Sequence, residues 1–264
     1  MPENKYCILL TATIAPKNMT FTRRSDPKVR EADYLSGIEN ASRWGLPIIF
    51  AENSGYGLGR IKEALERSAP GNYEIVQTTE GQDFPVSRGK GYGELVLLTK
   101  AIPQSKLVNK STYIIKITGR YTIPNLNELI ASLESGGDFI VAADYVPGKR
   151  YTMSGMFICK AIFLTRYMEP LQDVMDDSKK QPFEMVLRMA IENAVKDGYR
   201  CASFTVKPQI EGYSGTWNAK FKKNDYNDVQ FSTGKMLIEW RKLRQRFGRR
   251  WNILKKIVYT HLRS

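Results

Sequence analysis

The chain has 264 residues, a formal net charge of +13, one histidine and three cysteines. That length supports one large α/β domain, or one domain with an appendage. Cys7, Cys159 and Cys201 are scattered and form no CxxC pair, which excludes a disulfide framework and a structural zinc and fits a reducing compartment.

The N-terminus has Pro2 and Glu3 where a signal peptide carries positive charge, and its apolar run is too short for an export signal or a membrane span. A cytoplasmic protein is expected. The charge is uneven: ten Lys and Arg face the single Glu239 in residues 235–264, so +9 of the +13 sits in the last 30 residues. The body is only mildly basic, which argues against a general nucleic-acid surface and for a tail with its own task. Two units follow, a catalytic-sized body over 1–232 and a basic tail over 233–264.

Residues 6–13 read as a buried strand that places Thr11, Ala12 and Thr13 at its carboxyl end, where open α/β sheets bind ligands. A loop with Arg23 and Arg24 follows. Asp26 caps a helix that starts at Pro27 and runs to about residue 44, with Val29, Ala32, Tyr34, Leu35 and Ile38 as its buried stripe. A strand over 46–51 delivers Glu52, Asn53, Ser54 and Gly55. A helix over 57–68 stops before Pro70-Gly71, and a strand follows over 73–77.

The centre of the chain is residues 87–121. Gly89, Lys90, Gly91 and Gly93 form a glycine-rich turn, an amphipathic helix runs from Glu94 through Ile102, and a strand over 113–117 delivers Thr118, Gly119 and Arg120. Glycines let the backbone approach a ligand, and a helix start offers unpaired N–H groups and partial positive charge to an anion. Lys90 adds a full charge, and Arg120 adds another if the strand end lies beside the helix start. The guest this predicts is a phosphate or diphosphate. The turn is not a Walker loop, since no Gly-Lys-Ser/Thr triplet follows a spacer, nor a dinucleotide fingerprint, since no strand directly precedes it. Lys116 lies inside an apolar strand, so its charge needs a partner or an exposed face.

A helix over 125–135 and a strand over 138–142, leading to Asp144, complete a run of alternating strands and helices. Such alternation predicts an α/β fold: a Rossmann-like, mostly parallel sheet with helices on both faces. Further along come a Pro/Gly/Lys/Arg loop over 146–152, a strand over 156–159, a short helix over 161–168, an amphipathic helix over 182–196 and a strand over 199–206. The loop 211–217, EGYSGTW, is rich in glycine and aromatics. In the tail, Trp240, Leu243, Phe247, Trp251, Leu254 and Val258 recur at spacings of three and four among Lys and Arg. This predicts a basic amphipathic helix suited to an anionic membrane surface; docking on the body or an oligomer contact are the alternatives. The sole histidine, His261, lies in that tail, away from any expected chemistry.

The order of elements resembles the nucleotide-binding half of GT-A-type glycosyltransferases. The strings Asp26-Pro27 with Arg30 and Asp33-Tyr34, Glu52-Asn53-Ser54-Gly55, Gly89-Lys90-Gly91-Tyr92-Gly93-Glu94 and Lys116-Ile117-Thr118-Gly119-Arg120-Tyr121 look like those of bacterial transferases that build capsule or lipopolysaccharide chains. The resemblance covers roughly residues 5–215 and implies a nucleotide-sugar donor. It implies that Thr11, Ala12, Thr13, Glu52, Asn53, Ser54 and Gly55 line the nucleoside pocket, and that Gly89, Lys90, Gly91, Thr118, Gly119 and Arg120 hold the diphosphate. In this family two carboxylates at the fourth strand's end commonly hold Mn²⁺ or Mg²⁺, ions that take oxygen ligands. Here Thr118-Gly119-Arg120 stands in that place, which weighs against metal dependence and lets a guanidinium take the metal's charge role.

By the same analogy, an inverting enzyme needs a carboxylate base at the acceptor hydroxyl. Glu184 is the leading residue, with Asp144 and Glu211 as rivals; a plain helix-dipole role for Glu184 stays open. Tyr213 and Trp217 are positioned to stack on a sugar or simply to pack. The implied partners are a nucleotide-sugar, a glycan or lipid-linked glycan acceptor and an anionic membrane, with the protein peripheral on the inner face of the cytoplasmic membrane and no nucleic acid engaged. A sugar-phosphate nucleotidyltransferase and a nucleic-acid-binding protein are the alternative readings. The first lacks its glycine-rich loop after strand one, and the second lacks a basic aromatic face.

Overall fold

The computed structural model describes residues 3–16, 19, 22–78, 85–134, 136–145 and 150–221. Among these described residues, seven strands form one sheet: β1 (Asn4–Ala12), β2 (Ile48–Glu52), β3 (Tyr73–Gln77), β4 (Ser111–Thr118), β5 (Val141–Ala143), β6 (Met156–Cys159) and β7 (Cys201–Ser203). Their order across the sheet is β3-β2-β1-β4-β6-β5-β7. Only β6 opposes the rest, pairing antiparallel with both β4 and β5. The mostly parallel α/β sheet expected from the alternation is therefore present.

Helices cover both faces because the central strands are apolar on both sides, the pattern of a buried parallel sheet. Ile8, Leu10, Ile48, Phe50, Ile115 and Ile117 face α1 (Pro27–Ser42), α2 (Gly59–Ser68) and α5 (Leu126–Glu134). Cys7, Leu9, Ile49, Ile114 and Phe157 face α3 (Gly89–Gln104), α6 (Ala161–Phe163) and α7 (Phe183–Lys196). One-turn α4 (Lys106–Asn109) leads into β4.

Local signals explain most boundaries. Asp26 caps α1 by accepting from the Lys28 and Val29 N–H groups, and Pro27 fills the first turn. Three expectations shift. The last strand shrinks to Cys201–Ser203, and the fifth strand begins at Val141. The glycine-rich segment is not a turn before the helix: Gly89, Gly91 and Gly93 are the first residues of α3, entered through a 3₁₀ turn over Val86–Arg88. The basic tail over 233–264 lies outside the described residues. Among the described residues no helix is long and apolar enough to cross a membrane.

Strand order reverses beside β1, with β2 and β3 on one side and β4 on the other, so the carboxyl ends of β1 and β4 flank a crevice. Thr11 and Thr118 are register partners there. The Gly119 N–H donates to the Thr11 carbonyl at 2.9 Å. α1 presses on the same turn: a Cβ at Gly37 would lie 1.9 Å from the Gly119 carbonyl oxygen. That oxygen cannot yield without moving the turn that carries Arg120. Gly37→Ala is expected to destabilise the protein by about 1–3 kcal/mol, a typical overpacking cost, seen as a lower urea midpoint at unchanged slope.

Candidate functional site

A cleft of about 640 Å³ opens at the carboxyl ends of β1 and β4. At one end stand Thr11, Ala12 and Thr13, backed by α1. Arg30 is buried there and donates from Nε to the Thr13 carbonyl at 2.7 Å and from Nη2 to the Tyr34 hydroxyl at 3.0 Å. The Tyr34 hydroxyl in turn accepts from the Thr13 N–H at 3.0 Å. The sequence marked Tyr34 as part of an apolar stripe and of a family string, and its polar tip is what shapes this wall.

The floor is an ion pair. Lys116 is fully buried in β4, and its ammonium lies 2.7 Å from Glu94 Oε1, with further hydrogen bonds to the Ser154 carbonyl at 2.8 Å and Thr118 Oγ1 at 3.2 Å. Phe157 and Phe183 flank the ammonium with ring centroids at 5.6 and 5.4 Å. Glu94 Oε1 also accepts from Thr11 Oγ1 at 2.6 Å. Burial alone would raise the Glu94 pKa. The Lys116 charge, the hydrogen bonds from Lys116 and Thr11 and the charge of Arg120 outweigh it and hold the group below its ordinary value.

Two further cations reach the cleft from separate elements. Lys90 projects from the first turn of α3 and donates to Thr216 Oγ1. Burial, followed by the charge of Arg120, lowers its pKa. Arg120 donates from Nε to the Tyr213 carbonyl at 3.1 Å and from Nη2 to the Tyr121 hydroxyl at 3.3 Å. Among the described residues neither side chain has a carboxylate within ion-pair distance. Gly215 is tight against this guanidinium, since a Cβ there would lie 2.8 Å from Arg120 Nη2.

Two carboxylates line the same cleft near Lys90. Glu184, at the start of α7, accepts from Ser154 Oγ at 2.6 Å. Asp177 was not singled out in the sequence, where it sits among Asp176, Ser178, Lys179 and Lys180. The fold brings it onto the start of α3: a Cβ at Gly89 would come within 2.0 Å of its Oδ2, and its carboxylate accepts the Gly91 N–H. Gly89 is thus required twice, for this approach and for its φ of 82°. The place an anion would take at that helix start is partly filled by the chain itself.

Other expected residues fall outside the cleft. Glu52 is fully buried and accepts from the Ile14, Ser54 and Gly55 N–H groups, so it organises the loops rather than contacting a ligand. Asn53 bridges Thr13 Oγ1 and the Gly93 carbonyl. Ser54 Oγ accepts the Ala15 N–H, and Gly55 turns the chain at φ 70°. None of the four lines the cleft. Asp144 does not line it either, and burial raises its pKa against only the charge of Lys207. Glu211 pairs by backbone with Thr122, and the Tyr213 ring lies 4.2 Å from the Arg24 guanidinium. Trp217 lines the cleft and is 67% exposed. At the end of β4, where a hard cation would need carboxylates, Thr118 and Arg120 face the cleft, and the near carboxylate, Glu94, is engaged by Lys116. The side chains there do not fit a divalent metal.

No protein-family model matches the chain, and no curated protein is similar to it in sequence. Solved structures that match the chain include a protein described as a nucleotide-diphospho-sugar transferase from Desulfovibrio desulfuricans G20, with 10% identity over 76% of this chain and 80% of that one and a TM-score of 0.45. A cytidylyltransferase from Leptospira borgpetersenii gives 10% identity, coverage of 86% and 85%, and a TM-score of 0.45. TarS 1–349 of S. aureus, in complex with UDP, gives 12% identity over 77% of this chain and 58% of that one, with a TM-score of 0.41.

Burial, with the nearby charge of Glu184 adding to it and Lys90 opposing it, pushes the Asp177 pKa up to about 6. In the unfolded chain an Asp ionises near 3.9, so between about pH 4 and 6 the folded state holds the extra proton and stability falls as pH rises. Asp177→Asn removes this loss. The variant is expected to match the parent near pH 3 and to exceed it by about 1–3 kcal/mol above pH 7, read from denaturant unfolding across pH.

Proposed function

We propose that the protein is a glycosyltransferase of GT-A type that moves a sugar from a nucleotide donor to a glycan acceptor. The observation that carries this reading is the convergence of Lys90 and Arg120, free of carboxylate partners among the described residues, beside the carboxyl ends of β1 and β4. Two such cations in a half-closed cleft suit a diphosphate. Arg120 has Nη1 unengaged by the described residues, and Lys90 offers a point charge beside it.

In this reading Thr11 to Thr13 and Tyr34 hold the nucleoside. Lys90 and Arg120 stabilise the charge that develops on the leaving diphosphate, the role that a metal plays in many such enzymes. Glu184 and Asp177 line the same cleft on the side of Lys90, where an acceptor hydroxyl would lose its proton. Asp177, with its proton affinity raised to about 6, is well matched to that task near neutral pH. Trp217, at the exposed rim, offers a face for a sugar ring. The basic, tryptophan-bearing sequence of residues 235–264 supports a further part of the proposal: the enzyme works on an anionic membrane, peripheral on its cytoplasmic face, on a lipid-linked acceptor of capsule or lipopolysaccharide synthesis.

Thermal unfolding with a panel of nucleotides and nucleotide-sugars, each with Mn²⁺ or EDTA, tests the donor class without needing an acceptor. A rise in midpoint with one nucleoside diphosphate is expected, retained in EDTA and lost in Arg120→Ala. A rise that needs Mn²⁺ would contradict the role given to Arg120. Stabilisation by nucleoside triphosphates and sugar phosphates alone would favour a nucleotidyltransferase.

A further inference from the structure

Glu94 is a carboxylate with its two oxygens in unlike settings. Oε1 takes the Lys116 ammonium at 2.7 Å, the Thr11 hydroxyl at 2.6 Å and the Thr118 hydroxyl at 3.4 Å. Oε2 has no partner among the described residues, although the side chain lines the cleft and is only 22% exposed. A carboxylate accepts hydrogen bonds and donates none, so the oxygen open to the cleft is set to take a donor from a bound ligand. The neighbouring cation does not supply it: no contact of Arg120 with Glu94 falls within ion-pair distance.

We propose that Glu94 Oε2 accepts a hydrogen bond from a sugar hydroxyl of the nucleotide donor and so takes part in donor selection. This rests on the donor class proposed above. Charge decides which part of the donor lies here. A phosphate oxygen would be repelled by a carboxylate, and a phosphate has Lys90 and Arg120 nearby; an apolar ring would leave Oε2 desolvated and unpaired, at a cost. A hydroxyl satisfies it. Lys116 keeps the group ionised and oriented: the ammonium is itself held by the Ser154 carbonyl, so Oε1 stays fixed and Oε2 points to one place. The hydroxyl has two possible sources, the ribose of the nucleotide and the sugar to be transferred, and both present the same chemistry to Glu94.

Calorimetric titration of the full chain separates them. The ribose arm compares the nucleoside diphosphate that stabilises the protein with its 2′-deoxy and 3′-deoxy forms. The sugar arm compares the matching nucleotide-sugar with donors deoxygenated at single hexose positions. A hydrogen bond to a charged group predicts a loss of about tenfold to a hundredfold for one deoxy compound in one arm. In Glu94→Gln/Lys116→Met, which removes the charge without stranding a buried lysine, that same discrimination should fall to a few-fold. Equal binding of all deoxy analogues by the parent protein would overturn the inference while leaving the donor class standing. Undiminished discrimination in a folded double variant would overturn it as well. Failure of every nucleotide and nucleotide-sugar to bind would remove both.

Discussion

The contact on which the cleft depends is the ion pair between Lys116 and Glu94. A lysine inside an apolar strand is costly unless its charge is met, and here the sheet meets it from three directions: Glu94 from α3, Ser154 from the segment before β6, and Thr118 from its own strand. The pair therefore fixes where α3 begins relative to the end of β4, and with it the distance between Lys90 and Arg120. Buried pairs of this kind add little net stability, whereas removing one partner typically costs about 3–5 kcal/mol. Their value in this protein is positional: the carboxylate is held ionised beside the cations Lys90 and Arg120.

Around that pair the chain closes on itself. The segment before α1 and the segment 211–221 are stitched together by Arg24, which grips Asp33 through two hydrogen bonds of 2.6 and 2.7 Å and reaches Asn218 at 2.8 Å. The Arg23 and Arg24 N–H groups both donate to the Gly215 carbonyl, and the Arg23 guanidinium lies 5.7 Å from the Trp217 ring centroid. This places Gly215 and Thr216 against Arg120 and Lys90. The cations thus have polar partners, while among the described residues no carboxylate comes within ion-pair distance of either. Their charge is available to an anionic ligand that replaces those weaker contacts.

Much of the fold was legible because the strands are short apolar runs set between capped amphipathic helices. β3 and β6 have the expected ends, and Asp26-Pro27 starts α1 as its chemistry dictates. The ends of β1 and β4 were found for the same reason: small polar residues follow apolar runs at Thr11 and at Thr118. The glycine-rich stretch misled in part, since three glycines read as a turn while the helix already begins there, with Gly89 packed on Asp177 and Gly91 on Phe183. The partner of Lys116 was called for by its buried setting but could not be named, because Glu94 meets it only across two elements. Asp177 was hidden for the opposite reason, since nothing in a charged local run tells which carboxylate folds inward. Glu52 closes β2 and Asn53 to Gly55 follow it at the expected edge, yet the backbone N–H groups of Ile14, Ser54 and Gly55 engage the buried carboxylate.

The central claim is that Lys90 and Arg120 serve a diphosphate that leaves as the sugar departs. Phosphorus NMR of the protein incubated with nucleotide-sugars, with or without candidate acceptor glycans, observes that bond directly. The account predicts that one donor's diphosphate diester signal gives way to the terminal-phosphate signal of a free nucleoside diphosphate, and that Arg120→Ala slows the change by about a hundredfold or more. Donors that stay intact in every mixture, or release of inorganic pyrophosphate from a nucleoside triphosphate and a sugar phosphate, would contradict it.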